Sequence, residues 1–198
     1  MYSVLIDSSN TDLAVAISSD HTIIAKTQYE AWQKQSEYLV YELDKLLKGK
    51  KLTRKDISYI VVSKGPGSYT GVRIALSVAK VMAFSISCPL YLVSSLEVEK
   101  DESKPSICLM NARSKRSYIG VYDGEKILME DTIKTNEEVL SYIKEHPSYA
   151  VRGDVSYLEL KNEGMDVLSN LNHADIERNL CKEPLAAKPV YLKDNYPV

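Results

Sequence analysis

Ser63-Lys64-Gly65-Pro66-Gly67-Ser68-Tyr69-Thr70-Gly71-Val72-Arg73 is the stretch that decides the fold. It follows the apolar run Ile57-Ser58-Tyr59-Ile60-Val61-Val62, which reads as a buried strand. It opens onto Ile74 to Phe84, which reads as a helix. Pro66 followed by Gly67 suits the two central positions of a type II turn, where the ring fixes φ near about −65° and glycine accepts a positive φ. Ser68 or Thr70 can then cap the free N–H groups of the new helix. The segment is a tight strand-to-helix elbow. Its helix-start N–H groups can also hold an anion. It is not a Walker A loop, because no Gly followed by Lys and Ser/Thr stands five positions after Gly65 or Gly67. Nor is it GxGxxG, because position 70 is Thr. A capped structural turn explains these residues at least as well as a phosphate site.

The surroundings are those of an ordinary soluble protein: 198 residues, 44% hydrophobic and 26% charged, enough for one substantial core or two small lobes. The formal net charge of −2 gives no global basic field to recruit nucleic acid. Lys48, Lys50, Lys51, Arg54 and Lys55 form one local basic run, and a solvated loop is favoured over RNA contact there. Cys88, Cys108 and Cys181 are far apart with no CxxC pair, which fits a reducing cytoplasm rather than a disulfide framework or a zinc site. The N-terminus lacks the pattern of a signal peptide, and no segment approaches the apolar length of a membrane helix. Tyrosine is abundant, 14 against one Phe and one Trp, and suits half-buried surfaces.

Strands are expected at Tyr2–Ser8, Leu13–Ile17 and Thr22–Thr27, with loops short enough for an antiparallel meander. Lys34–Lys48 reads as a helix with Leu39, Leu43, Leu46 and Leu47 in one stripe, widened by Tyr38, Val40 and Tyr41, and Gly49 as its stop. On the helix after the elbow, Val72, Ala75, Leu76, Ala79, Met82, Ala83 and Ile86 mark one apolar face, and Ile74, Val78 and Val81 a second. The polar stripe, Arg73, Ser77 and Lys80, is narrow, so this helix must be covered on more than one side. Cys88-Pro89 stops it, and Leu90–Val93 returns to the sheet.

The lobe boundary is placed at 100, giving lobes 1–100 and 101–198. The second half has strands at Ser106–Met110, Tyr118–Tyr122 and Lys126–Met129, then a helix Thr135–Glu145 with Thr135 and Glu138 as a capping box. A strand at Tyr149–Val151, a short strand at Asp166–Leu168 and a helix at His173–Leu180 complete it. Both halves begin with three strands, a helix and a strand, which points to two related α/β lobes.

Catalytic constellations do not emerge. His21, His146 and His173 have no metal-ligand spacing, and Ser68 is not in a GxSxG elbow. Asp7 ends the first strand, where two-lobed ATPases often place ligand residues, but Ser8-Ser9-Asn10 lacks the glycine that brings backbone to phosphate. Gly153-Asp154 is similar.

Lys64–Arg73 resembles the GPGSFTGLR signature of the TsaB (YeaZ) family. Ile6-Asp7-Ser8-Ser9, Pro89–Leu96, Met110-Asn111-Ala112-Arg113 with Ser117-Tyr118, and Pro189-Val190-Tyr191-Leu192-Lys193 resemble further motifs of that family, in order along nearly the whole chain. The resemblance implies the two-lobed fold of the actin, Hsp70 and sugar-kinase superfamily, with ribonuclease H-like lobes and a reduced second lobe. It implies a non-catalytic subunit of the machinery that makes N6-threonylcarbamoyladenosine (t6A) at position 37 of tRNA. Such a subunit supports the transferase TsaD together with the ATPase TsaE, meets tRNA only through the complex, and uses no cofactor or metal. The two first-lobe helices are the implied contact. The residues expected at it are Tyr38, Tyr41, Val72, Ala75, Ala79 and Met82, with self-association into a homodimer when isolated. The elbow residues Gly65, Pro66, Gly67, Ser68, Thr70, Gly71 and Arg73 identify the family more than they define an active site. Departures from the pattern are Gln35 before Ser36 where His is common, Asn111 for Asp and Ser117 for Glu. The alternative is a small ATPase or kinase of the same superfamily, which would bind ATP·Mg alone. A peptidase comes last, lacking a nucleophile–base or metal pair.

Overall fold

The computed structural model describes residues 1–161, 166–174 and 176–192. In chain order the first half consists of β1 (Tyr2–Asp7), β2 (Asp12–Ser19), β3 (Thr22–Glu30), α1 (Gln35–Gly49), β4 (Ile57–Ser63), α2 (Tyr69–Ile86) and β5 (Leu90–Val93). The second half adds β6 (Ser106–Arg113), β7 (Arg116–Asp123), β8 (Lys126–Thr135), α3 (Asn136–Glu145), β9 (Ala150–Gly153), α4 (Val167–Asn172), α5 (Ile176–Asn179) and β10 (Leu180–Cys181).

Two mixed sheets result. The first runs β10-β5-β4-β1-β2-β3 and the second β8-β7-β6-β9. In each, three antiparallel strands are followed by a helix and then a strand parallel to the first of the three, β4 on β1 and β9 on β6. This is the two-lobed α/β architecture expected, with the second lobe one helix and one strand shorter. Short turns close the hairpins. Ser19 pairs with Thr22 and Arg113 with Arg116, so Asp20-His21 and Ser114-Lys115 form two-residue connections. All four residues have positive φ, the hand that matches strand twist.

Alternation along the strands builds a core on both faces of the first sheet. Val4, Ile6, Leu13, Val15, Ile17, Ile60 and Val62 face α1 and α2. Leu5, Ala14, Ala16, Tyr59 and Val61 point the other way and meet Val167, Leu168 and Leu171 of α4. Strands buried on both faces read as continuous apolar runs, which is why β1 and β4 were legible.

Residues 166–187 depart from the expected division at 100. Asp166–Leu168 is not a strand: Asp166 caps α4 through Ser169, and α4 covers the first sheet. The helix expected at His173–Leu180 is reduced to α5, and Asp175 lies outside the described residues. β10 then joins the first sheet beside β5. Asn170 fastens α4 by donating to the carbonyls of Val98 (2.7 Å) and Lys100 (2.8 Å). A polar stretch without strong periodicity is thus ordered by the apolar face it covers.

Helix ends bear out some local chemistry and revise some. Thr135 and Glu138 form the expected capping box on α3. α1 ends at Gly49, but Lys51 (φ +58°) takes the left-handed position. α2 begins at Tyr69, so half of the elbow is already helix, and Ser68 rather than Thr70 is its cap. It ends at Ile86, before Cys88-Pro89, with Ser87 left-handed. With 18 residues and a mean hydropathy of 1.3, α2 also reaches the length and composition of a membrane span, against expectation. Its inner face nonetheless packs on the first sheet.

Candidate functional site

Glycine at two elbow positions is set by close packing against the loop after β1. A Cβ on Gly67 would lie 2.3 Å from the Ser9 carbonyl oxygen, and one on Gly71 would lie 1.9 Å from that of Ser8. The backbones meet there: Ser68 N–H donates to Ser9 O (2.7 Å), and Ser8 Oγ donates to the Gly71 carbonyl (2.8 Å). Ser68 Oγ accepts from Gly71 N–H at 3.2 Å, the predicted cap. The turn is not type II: Gly67 has φ +156°, far from the roughly +80° such a turn requires. The Gly65–Pro66 peptide is cis.

Asp7 lies buried beneath this cradle. Ser63 Oγ and Ser9 Oγ both donate to Oδ1, the latter at 2.8 Å, and Ser9 N–H reaches Oδ2 at 3.4 Å. Burial pushes the carboxyl above its ordinary pKa, more than these hydrogen bonds lower it, and the charge of Asp12 adds to the rise. Asp7 is therefore engaged in closing β1 onto β4 and the loop. Nearby, burial and then the charges of Asp7, Asp12 and Asp154 push Glu99 up to about 8. The charges that raise Glu99 are all acidic. Among the described residues, no three His, Cys, Asp or Glu side chains are grouped to hold a metal ion.

The C-terminal segment straps the elbow from outside. Val190 N–H donates to Lys64 O (2.8 Å), while Gly65 and Ser95 bond each other at 3.0 Å in both directions. Arg73 Nε donates to Tyr191 Oη (2.6 Å), and its guanidinium lies 4.0 Å from the Tyr69 ring centre. Tyr69 and Tyr191 stack at 5.3 Å. Lys80 donates to Ala187 O (2.8 Å). Two residues of the narrow polar stripe of α2, Arg73 and Lys80, thus bond the C-terminal segment, while Arg73 and Ser77 stay exposed. Lys193, the end of the expected C-terminal motif, lies outside the described residues.

The seam between the sheets has its own network. Ser94 Oγ donates to Asp131 Oδ2 (2.5 Å), Tyr122 Oη donates to the other oxygen, and Leu96 N–H donates to Ser94 Oγ (3.0 Å). Arg178 pairs with buried Glu97. These contacts tie β5 to β7 and β8, and α5 to the connection between the lobes.

The helix surface differs from the one expected. Val72, Ala75 and Ala79 are buried in the chain's own core, because that face of α2 lies against β4 and α1. They form no surface. Met82 and Tyr38 are half-buried, Tyr38 edge-on to Tyr29 with ring centres 6.3 Å apart. Tyr41 is exposed at 61% and Val40 at 58%. On α2 the bare residues are Val81 at 66% and Phe84 at 64%, flanked by half-buried Ile74 and Val78. Of the two apolar faces read from the sequence, the larger is inside and the smaller is outside. Their unequal width was the available signal, since the wider face belongs to the sheet.

Comparison with known proteins gives a consistent result. The family model described as "TsaD: tRNA N6-adenosine threonylcarbamoyltransferase" matches residues 18–187. The tRNA threonylcarbamoyladenosine biosynthesis protein TsaB of Bacillus subtilis is 34% identical over 140 residues, 69% of this chain and 61% of that protein. The match thus spans less than two thirds of that relative. A protein of the same name from Buchnera aphidicola subsp. Schizaphis graminum is 29% identical over 150 residues, covering 69% of this chain and 70% of the relative. The solved structure of YeaZ from Pseudomonas aeruginosa superposes with a TM-score of 0.78 over 96% of this chain and 99% of that one, at 21% identity. At that identity it speaks for the fold alone. The chain belongs to the family that this model describes and, within it, to the TsaB (YeaZ) branch.

Proposed function

We propose that the chain is a non-catalytic subunit of the t6A-forming machinery, which supports the larger threonylcarbamoyltransferase TsaD and, with it, TsaE. The observation that carries this reading is the pair of bare apolar residues on each of two neighbouring helices: Val40 and Tyr41 on α1, Val81 and Phe84 on α2. Apolar residues left bare among the described residues in this way mark a protein-binding surface. Burying each such side chain contributes about 1.5–3 kcal/mol. The engaged Asp7 and the close backbone packing at Gly67 and Gly71 support a role without chemistry of its own. In isolation the same face would cover itself in a second copy. The place of action is the cytoplasm, and tRNA is met through the assembly.

The test is co-purification with candidate transferase and ATPase partners, then a modification assay omitting each subunit. Val81→Arg combined with Phe84→Arg should weaken partner binding by at least about a hundredfold, from two apolar contacts of that size. The melting temperature should be unchanged. Undiminished binding by a folded variant would remove this surface from the reading.

A further inference from the structure

Most side chains of the basic run between α1 and β4 make no ion pair among the described residues. Lys48, Lys50, Lys51, Arg54 and Lys55 place five cations in eight residues, with no acid among them. Since the whole chain is −2, the remaining residues together carry −7. A polyanion is repelled by most of this molecule and attracted here.

The structure makes the run a fixed patch rather than a loose loop. Lys50 N–H bonds to the Leu46 and Leu47 carbonyls (3.2 and 3.1 Å) as α1 ends. A single helical turn, Arg54–Asp56, follows, closed by Asp56 accepting from Thr53 N–H (2.7 Å) and Thr53 Oγ1 (2.8 Å). All five basic side chains are exposed. Lys48 pairs with Asp44 at 2.6 Å. Among the described residues, Lys50, Lys51, Arg54 and Lys55 have no carboxylate within ion-pair distance, so their charges are free to meet an outside anion. Complementing the negative end of the α1 dipole accounts for Lys48 and Lys50. It does not account for Arg54 and Lys55, which lie beyond the helix. The patch also continues the bare helix face, because Tyr41, Asp44 and Lys48 follow one another at helical spacing.

We propose that Lys50, Lys51, Arg54 and Lys55, with Lys48 at the edge, contact the phosphodiester backbone of the tRNA on which the assembly acts. This rests on the function proposed above. Cations held on an ordered backbone position a nucleic acid without reading its sequence. Binding should therefore be indifferent to tRNA identity and steeply dependent on salt.

The experiment is filter binding of an unmodified tRNA transcript to the reconstituted assembly, from about 50 to 200 mM monovalent salt. The chain carries K50E/K51E/R54E/K55E or, as a charge-matched control, K104E/K126E/K144E/K161E. The patch variant should bind at least about tenfold more weakly at low salt, with the slope of log K against log salt shallower by about 2 to 4. The control should move both far less, and size exclusion should show the assembly intact. K50Q/K51Q/R54Q/K55Q should show the same sign with a smaller loss, and it decides the matter if circular dichroism shows the glutamate variant unfolded. Unchanged affinity and slope in an intact assembly would overturn the proposal. So would an equal loss in the control, which would make net charge the cause. So would a loss confined to phosphatidylserine vesicles, which would make the patch a membrane contact. If the unaltered chain neither joins the assembly nor supports modification, the function reading fails first and this proposal falls with it.

Discussion

The two lobes start from the same plan and diverge at two places. In the first, β1 ends in buried Asp7, gripped by Ser63 and Ser9, and a second helix follows β4. In the second, Asn111 near the end of β6 is exposed, and its side-chain Oδ1 accepts from Arg113 N–H in its own turn (2.8 Å). There β9 is followed not by a second helix of that lobe but by chain that returns to the first. Paired outer helices therefore exist only in the first lobe, and they carry the bare apolar residues. At these strand ends the first lobe has a closed serine–aspartate knot and the second an exposed amide. The lobes thus differ both at these strand ends and on the outside of α1 and α2.

The contrast breaks most sharply at the two faces of α2. Ala79→Arg would force a cation into the core between α2 and the sheet, at a cost of roughly 3–5 kcal/mol for an unpaired buried charge. It should abolish folding of the first lobe, whereas the Val81 and Phe84 substitutions should leave melting untouched. A folded, soluble Ala79→Arg chain by circular dichroism would mean that the inner and outer faces are assigned wrongly.

Gly71→Ala comes next. Its Cβ would press on a backbone carbonyl that cannot rotate away, so a loss of about 3 kcal/mol is expected, the upper range for overpacking. Chemical denaturation measures it. A loss below about 0.5 kcal/mol, the range of ordinary surface changes, would show that the β1–β2 loop yields and that the elbow is not closed as described.

Asp7→Asn makes the first lobe resemble the second at its strand end, and its effect is the smallest. Because burial raises the folded pKa of Asp7, the fold holds this proton more tightly than the unfolded chain does. The group's contribution to stability is present in acid, below its ordinary pKa, and is lost as pH rises through the raised one. Thermal melts should therefore show the variant gaining on the parent as pH rises above the ordinary carboxylate range. A variant that loses ground toward neutral pH would show Asp7 working as a stabilised anion, as a ligand-binding lobe would need.

Much of the fold was legible because its signals are local. β1, β4 and β5 announced themselves as short apolar runs, and α1 by its leucine stripe. Thr135 and Glu138 marked the start of α3 by side-chain chemistry alone. The site was less legible. Val72, Ala75 and Ala79 have the same composition whether they meet a sheet or a partner, so apolar character could not say which face was free. Residues 166–187 were misread for a related reason: α4 and β10 are short, and what orders them is the surface of β1, β2 and β5, distant in sequence.

The sequence by itself determined the alternation that splits β1, β2 and β4 between two cores, the elbow and the family to which they belong, because these depend on neighbouring residues and on fixed backbone preferences. Only the tertiary structure decided that Asp7 is knotted to Ser63 and Ser9, that Val81 and Phe84 rather than Ala79 stand bare, and that Arg54 and Lys55 have no acidic partner among the described residues. Each of these depends on which distant surfaces meet, and burial and pairing are properties of that meeting, not of the residue.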